Sequence, residues 1–232
     1  MNNAYAAVIK INPFIMSSSV EFKTQAKLHR PEEGLTMRVY HEQTEKGLKE
    51  HVAIIKGDVS KNINNVIRVH SSCITSEVFG CTRCDCSEQL EFAFRQIDKS
   101  EAGAIIYLDQ EGRDIGLANK VQAYHFQDLG FDTLDANLLT CVKVDARTYM
   151  PAVHILNDLG ITSTALITNN PNKVTELAES GIHITSRIPV RIPGKESYLS
   201  KKEQRLNHIT TFDPERDTNI QKGKTSGFDP ID

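Results

Sequence analysis

Three cysteines fall within the short stretch CTRCDCSEQ, at Cys81, Cys84 and Cys86, and a fourth, Cys73, lies just upstream. Any fold this chain adopts must account for these sulfurs. The opening MNNAYAAVIKINPFIM is mildly apolar, but Lys10, Asn12 and Pro13 interrupt it, and no charged segment leads into a clean apolar run. No stretch reads as a transmembrane span. The expected location is therefore cytoplasmic, where thiols stay reduced and clustered cysteines more often bind metal or catalyse than pair as disulfides. The chain has 5 cysteines, so they cannot all pair with one another. Spacing leaves three outcomes open. Cys73, Cys81, Cys84 and Cys86 could close a structural four-sulfur zinc site. Cys73, Cys84 and Cys86 could form an open catalytic site that keeps one position for water. Or no metal binds. In the open site the bound water would be acidified toward neutral pH.

The sulfurs sit where the texture of the chain changes. From about Val20 to Ser72 it reads as short β-like runs, MRVYHE, HVAIIKGDV and NVIRVHS, with polar or Gly-containing turns between them, which predicts antiparallel strands. After Cys86, Leu90, Ala93, Phe94 and Ile97 fall at helical spacing. AGAIIYLDQ follows as a buried strand, EGRDIG as a loop, and LANKVQAYHFQDLG as a helix stopped by Gly130. TLDANLLTCVKVDA is β-like or mixed. YMPAVHILNDLG is then a helix, STALIT a strand, NNPNKVTELAESG a helix and IHITSRIPV a strand, an order that implies a parallel βαβ unit. The expected fold class is α/β: a mixed sheet with an antiparallel N-terminal half and a parallel βαβ C-terminal half. Residues 1–19 read as a flexible lead, 20–209 as one folded domain, and 210–232, polar with scattered Pro and Gly, as a disordered tail. The formal net charge is -3. No basic footprint for nucleic acid follows from it, so an anionic ligand must be met by a local cluster of Arg and Lys. Neither nucleic acid nor membrane is expected as a partner.

Five segments recur together in a recognisable order: RVHSSC at Arg68–Cys73, RCDC at Arg83–Cys86, QEGRDIGLANK at Gln110–Lys120, DARTY at Asp145–Tyr149 and TNNPNK at Thr168–Lys173. Together they resemble GTP cyclohydrolase II, the zinc enzyme that opens the guanine ring of GTP at the start of riboflavin biosynthesis. The resemblance runs from about Val20 to Ile209. Alone, each segment has a plainer reading. EGR is a solvated turn, TNNP an N-cap with Pro at a helix start, and DAR a surface ion pair. Tyr124 would be core packing, His70 a strand residue and Cys141 a buried thiol. Their joint order is what carries the likeness.

The resemblance implies a homodimeric hydrolase that removes C8 of the purine as formate and releases pyrophosphate. It implies Cys73, Cys84 and Cys86 as ligands of one Zn²⁺ per subunit, which favours the open site and leaves Cys81 a bystander. It implies Asp145 as proton acceptor, Arg147 as nucleophile toward the α-phosphorus, and Tyr124 near the reacting ring as proton donor or water positioner. A guanidinium is normally protonated, so for Arg147 a clamp on the leaving pyrophosphate is equally consistent. The implied nucleotide contacts are Arg68, Val69, His70, Ser71, Ser72, Gln89, Glu111, Gly112, Arg113, Thr133, Thr168 and Lys173. Glu111 is suited to pair with the guanine N1–H and 2-amino group. Mg²⁺ is expected with the triphosphate, whose charge it offsets.

Four positions depart from the family pattern. Ser72 stands for a carboxylate, Ser87 for a glycine, Cys81 for a small hydroxyl residue and Asp109 for an arginine. Near a triphosphate, Asp109 would weaken anion binding by about 1–3 kcal/mol if partly buried. Asp109 and Ser72 favour a paralogue acting on another purine or pyrimidine compound, such as in uracil catabolism. Cys81 favours a non-catalytic four-cysteine nucleotide-binding module.

Overall fold

The computed structural model describes residues 19–31, 34–130, 145–194, 203–204, 208–211 and 213–220. Residues 1–18 of the expected lead, the TLDANLLTCVKVDA stretch up to residue 144, Thr133 and Cys141 lie outside the described residues.

The described strands are β1 (Val20–Leu28), β2 (Leu35–Thr44), β3 (Gly47–Lys56), β4 (Asn65–Ser71), β5 (Gly103–Leu108), β6 (Ser163–Ile167), β7 (His183–Ile188) and β8 (Thr218–Ile220). They form one sheet in the order β1-β2-β3-β5-β4-β6-β7-β8. β1, β2 and β3 pair antiparallel, and β3 pairs antiparallel with β5. From β5 onward the sheet turns parallel: β5 with β4, β4 with β6, and β6 with β7. The mixed α/β sheet is thus the one the sequence implies, with one correction. NVIRVHS, expected among the antiparallel strands, is β4, parallel to both neighbours. The reason is the helical segment that follows it, which carries the chain back over the sheet as a crossover requires.

The crossover runs through α1 (Ile74–Glu77) and α2 (Cys86–Lys99). α2 buries Ala93, Phe94 and Ile97, the face its helical spacing predicts, against Ile54 and Ile105. The opposite sheet face carries Ile67, Val69, Ala104, Ile106 and Leu108, covered by α4 (Met150–Asp158) and α5 (Pro171–Glu179). Strand alternation explains the split, since neighbours such as Ile105 and Ile106 must point to opposite faces. α3 (Leu117–Asp128) follows β5.

The expected tail needs a second correction. Residues 213–220 form α6 (Pro214–Asp217) and β8, which pairs antiparallel with β7. Asp213 caps α6 by accepting from the Glu215 N–H at 3.0 Å, and Asp217 is fully buried beside Arg187. A polar composition concealed the segment because its attachment is a buried ion pair, not an apolar stripe. Residues 221–232 lie outside the described part.

Candidate active site

β4, β5 and β6 point their carboxyl ends toward a cleft of about 260 Å³, the position where open parallel sheets bind ligands. Each strand end delivers one motif. β4 runs into Ser71, Ser72 and Cys73, β5 into the Gln110–Gly116 loop, and β6 into Thr168, Asn169 and Asn170.

The first group is sulfur. Cys73 leads into α1, and Cys84 and Cys86 sit at the start of α2. Their Sγ atoms all lie within 4.8 Å of one another, and Cys73 and Cys84 are 3.6 Å apart. Tetrahedral coordination with metal–sulfur bonds of about 2.3 Å needs sulfurs about 3.8 Å apart, so the spacing fits. Cys81 is outside this group. Hydrogen bonds from the Cys84 and Cys86 thiols hold Cys73 far below the usual thiol range, with Lys120 adding to them. The same sharing pushes Cys84 and Cys86 up. Three crowded sulfurs thus oppose one another's ionisation; a divalent cation is what would let all three ionise. The residues present can hold a metal ion.

Lys120, on α3, stands against this group. Its Nζ donates to Cys73 Sγ at 3.0 Å and to Glu111 Oε1 at 2.7 Å. Tyr124 lies one turn further along α3 on the cleft wall. Burial raises its hydroxyl above the usual range, so it keeps its proton at neutral pH. The Arg83 guanidinium lies 4.9 Å from the Tyr124 ring centre and pairs with Asp128.

The second group is cationic. Arg68 Nη2 donates to Gln89 Oε1 at 2.5 Å and Nη1 to the Ile167 carbonyl at 3.1 Å. Gln89 Nε2 in turn donates to Asp85 Oδ2 at 2.7 Å. Burial lowers Arg68 to about 10, still charged at neutral pH. Its Nε–H points at His70 Nδ1 at 3.4 Å, so His70 donates through Nε2 to Glu77 Oε1 at 2.8 Å. Tyr107 donates to the other Glu77 oxygen at 2.6 Å. Burial brings His70 down to about 4, so it is neutral. Lys173 donates to the Val69 carbonyl at 2.6 Å, and its Nζ lies 4.9 Å from the Tyr149 ring centre. Asn170 caps α5 through Asn172 N–H and donates to Tyr149 Oη at 2.9 Å.

Arg147 is held by Asp145 through two parallel contacts, Nε to Oδ1 at 2.9 Å and Nη2 to Oδ2 at 2.5 Å. Burial disfavours the Arg147 charge, but Tyr149 and Asp145 outweigh it and hold the guanidinium protonated above its usual range. Burial likewise works against the Asp145 charge, and the Arg147 hydrogen bonds overcome it. A guanidinium so held is a cation with a fixed fork, suited to clamp a phosphate and unsuited to attack one.

The cleft wall includes Arg68, His70, Ser71, Ser72, Gln89, Gly112, Arg113, Tyr124, Arg147, Thr168 and Lys173 with the three sulfurs. Val69 contributes only its carbonyl, which holds Lys173. Asp145 stands behind Arg147, off the wall. Glu111 is also off it: its carboxylate accepts from Ile74 N–H at 2.7 Å, Gly112 N–H at 2.9 Å and Lys120. Asp109 is likewise off the wall. It is exposed in a separate hollow with Lys46 and Lys49, and its N–H donates to His51 Nδ1 at 3.0 Å. Ser72 Oγ accepts from Gln110 N–H at 3.1 Å, a structural use for the departing hydroxyl. Lys120, Arg83, Asn169, Asn170 and His208, none of them among the expected site residues, also line the cleft. Lys120, Arg83 and the two asparagines lie inside quoted motifs. His208 lies in no quoted motif.

The family model described as GTP cyclohydrolase II matches residues 21–189. A riboflavin biosynthesis protein RibBA of Bacillus cereus is 44% identical over 164 residues, covering 69% of this chain and 41% of that protein. The RibBA of Chlamydia muridarum is 48% identical over 167 residues, 70% of this chain and 39% of its own length. That of Phocaeicola vulgatus is 45% identical over 166 residues, 70% and 41% respectively. The chain therefore spans about two-fifths of the length of these curated relatives.

Proposed function

The chain belongs to the GTP cyclohydrolase II family, and from that membership we propose that it hydrolyses GTP, opening the imidazole ring and releasing formate and pyrophosphate. The product is the diaminopyrimidine ribosylamino 5′-phosphate that enters riboflavin biosynthesis. One observation carries the reading: a single cleft joins a three-sulfur metal-type cluster to the buried cations Arg68 and Lys173 and the half-buried Arg147.

Cys73, Cys84 and Cys86 would hold one Zn²⁺, which when bound supplies an electrophilic centre that acidifies water toward neutral pH. The remaining work falls to the chain's own residues. Arg68, Arg147 and Lys173 bind and orient the triphosphate, accompanied by Mg²⁺. Arg147, fixed by Asp145, offsets charge developing on the departing pyrophosphate. Asp145, ionised and held against that cation, is assigned the role of proton acceptor. Tyr124 keeps its proton and sits on the wall with the sulfurs, so it can donate to a ring nitrogen. His70, neutral and tied to Glu77, shapes the floor beside Arg68. The enzyme acts as a cytoplasmic homodimer, with neither nucleic acid nor membrane as partner.

The features that favoured other readings lose weight. Asp109 faces away from the cleft, and Cys81 is outside the sulfur group. The test is to incubate zinc-loaded protein with GTP and Mg²⁺ and quantify formate, pyrophosphate and ring-opened product. Equal amounts of all three are expected. Stable zinc binding with no product from GTP would overturn the proposal and redirect the search to other purines and pyrimidines.

A further inference from the structure

We propose that Lys120 is a positioning residue for the metal centre: together with Glu111 it braces Cys73 and supplies the counter-charge of the three-thiolate site. The inference rests on the zinc reading above.

Three ionised thiolates around a divalent cation leave one net negative charge. Cys73 and Cys84 are both buried, at 4% and 9% exposure. A buried uncompensated charge is costly, so the site needs a cation close by. Lys120 Nζ, at 3.0 Å from Cys73 Sγ, is placed to be that cation.

The placement is enforced from both ends of the side chain. At its base, a Cβ on Gly112 would lie 3.1 Å from Lys120 Cβ and 2.9 Å from the Gly116 carbonyl oxygen. Gly112 also has a φ of 63°, and Arg113 and Asp114 follow it in the left-handed region. Lys46 and Lys49 both pair with Asp114 and pin this turn. At its head, Lys120 meets Glu111 Oε1 at 2.7 Å, while Glu111 Oε2 accepts from the N–H of Ile74, the residue after Cys73. Glu111 therefore ties the backbone beside Cys73 to the lysine that touches its sulfur. The strained loop is the linkage, which gives its unfavourable backbone angles a purpose.

The expected effect follows from partners of this kind around metal ligands. An ammonium hydrogen-bonded to a thiolate offsets the net negative charge of the filled site and favours the ionised sulfur that the metal needs, while drawing some charge from that sulfur. Removing such partners lowers metal affinity by about 10- to 100-fold.

The experiment compares wild type, Lys120→Met and Lys120→Arg, each loaded with Co²⁺ as a spectroscopic stand-in for zinc, with affinities from chelator competition. Lys120→Met should bind about 10- to 100-fold more weakly. Its thiolate-to-metal absorption should move to longer wavelength, because an unshielded thiolate gives up charge more readily. Lys120→Arg should restore both. If Lys120→Met does not fold, Glu111→Gln, which keeps an acceptor for Ile74, should show the same changes at smaller amplitude. Identical spectra and affinities within about twofold for wild type and Lys120→Met would overturn the role of Lys120. A folded wild type that takes up neither ion would instead overturn the metal reading beneath it.

Discussion

Asp217 offers a measurable link between the C-terminal segment and the cleft. It meets Arg187 through two contacts of 2.8 Å, Nε to Oδ1 and Nη2 to Oδ2. Both side chains are fully buried, at 1% and 0% exposure. Arg187 Nη1 also donates to the carbonyls of Thr168, at 3.0 Å, and Ile209, at 2.6 Å, while Nη2 reaches the Thr211 carbonyl. Asp217→Ala leaves the guanidinium buried with carbonyl partners but no counter-charge. Breaking a buried pair this way costs about 3–5 kcal/mol. For a chain of this size each kcal/mol lowers Tm by about 2–4 °C, so a fall of about 6–20 °C is expected. Because Thr168 lines the cleft, KM for GTP should rise as well. Burial works against the Asp217 charge, but Arg187 and Arg216 hold it below the usual carboxyl value of 3.8. Its stabilisation is therefore full above that value and lost as the pH falls through the lowered folded pKa. Urea unfolding followed by circular dichroism, at neutral and acid pH, reads the stability; thermal unfolding reads Tm and initial rates read KM. A loss under about 1 kcal/mol in Asp217→Ala at neutral pH would refute the latch.

Three further outcomes follow from the same geometry. Cys81→Ser should keep full zinc content and turnover, whereas Cys84→Ser should lose both; metal analysis by atomic emission separates them. Asp109→Arg should change KM for GTP by less than about twofold, since its side chain faces a different hollow; a tenfold drop, about 1.4 kcal/mol, would place it back at the phosphates. His70, lowered by burial from 6.5 to about 4, favours folding as the neutral form. Its contribution is full above 6.5 and declines as the pH falls toward 4, by about 3 kcal/mol in total. His70→Gln should flatten that part of the stability–pH curve, and an unchanged curve would exclude the effect.

Much of this was legible because local patterns and tertiary placement agree. Leu90, Ala93, Phe94 and Ile97 announced α2 through helical spacing, and its buried face is built from them. Cys73, Cys84 and Cys86 converge because a strand end and a helix start meet at the crossover. What stayed hidden depended on direction or distance. The backbone of β4 says nothing of whether its neighbours run with or against it. Asp109 and Gln110 are adjacent, yet the strand end turns one outward and the other inward, so a charge reversal near the motif misses the cleft. Glu111 looks like a base-reading carboxylate in sequence, and only its contacts to Ile74 and Lys120 reveal a brace. Arg187 and Asp217 are 30 positions apart, and no local pattern marks their pairing.

The central claim is an open three-thiolate metal site in a cleft that also gathers phosphate-binding cations. X-ray absorption at the zinc edge of the loaded protein tests it most directly. Three sulfur neighbours at about 2.3 Å with one oxygen or nitrogen neighbour are expected, the same in wild type and Cys81→Ser. Four sulfur neighbours in wild type, falling to three in Cys81→Ser, would establish a closed structural site and contradict the catalytic account.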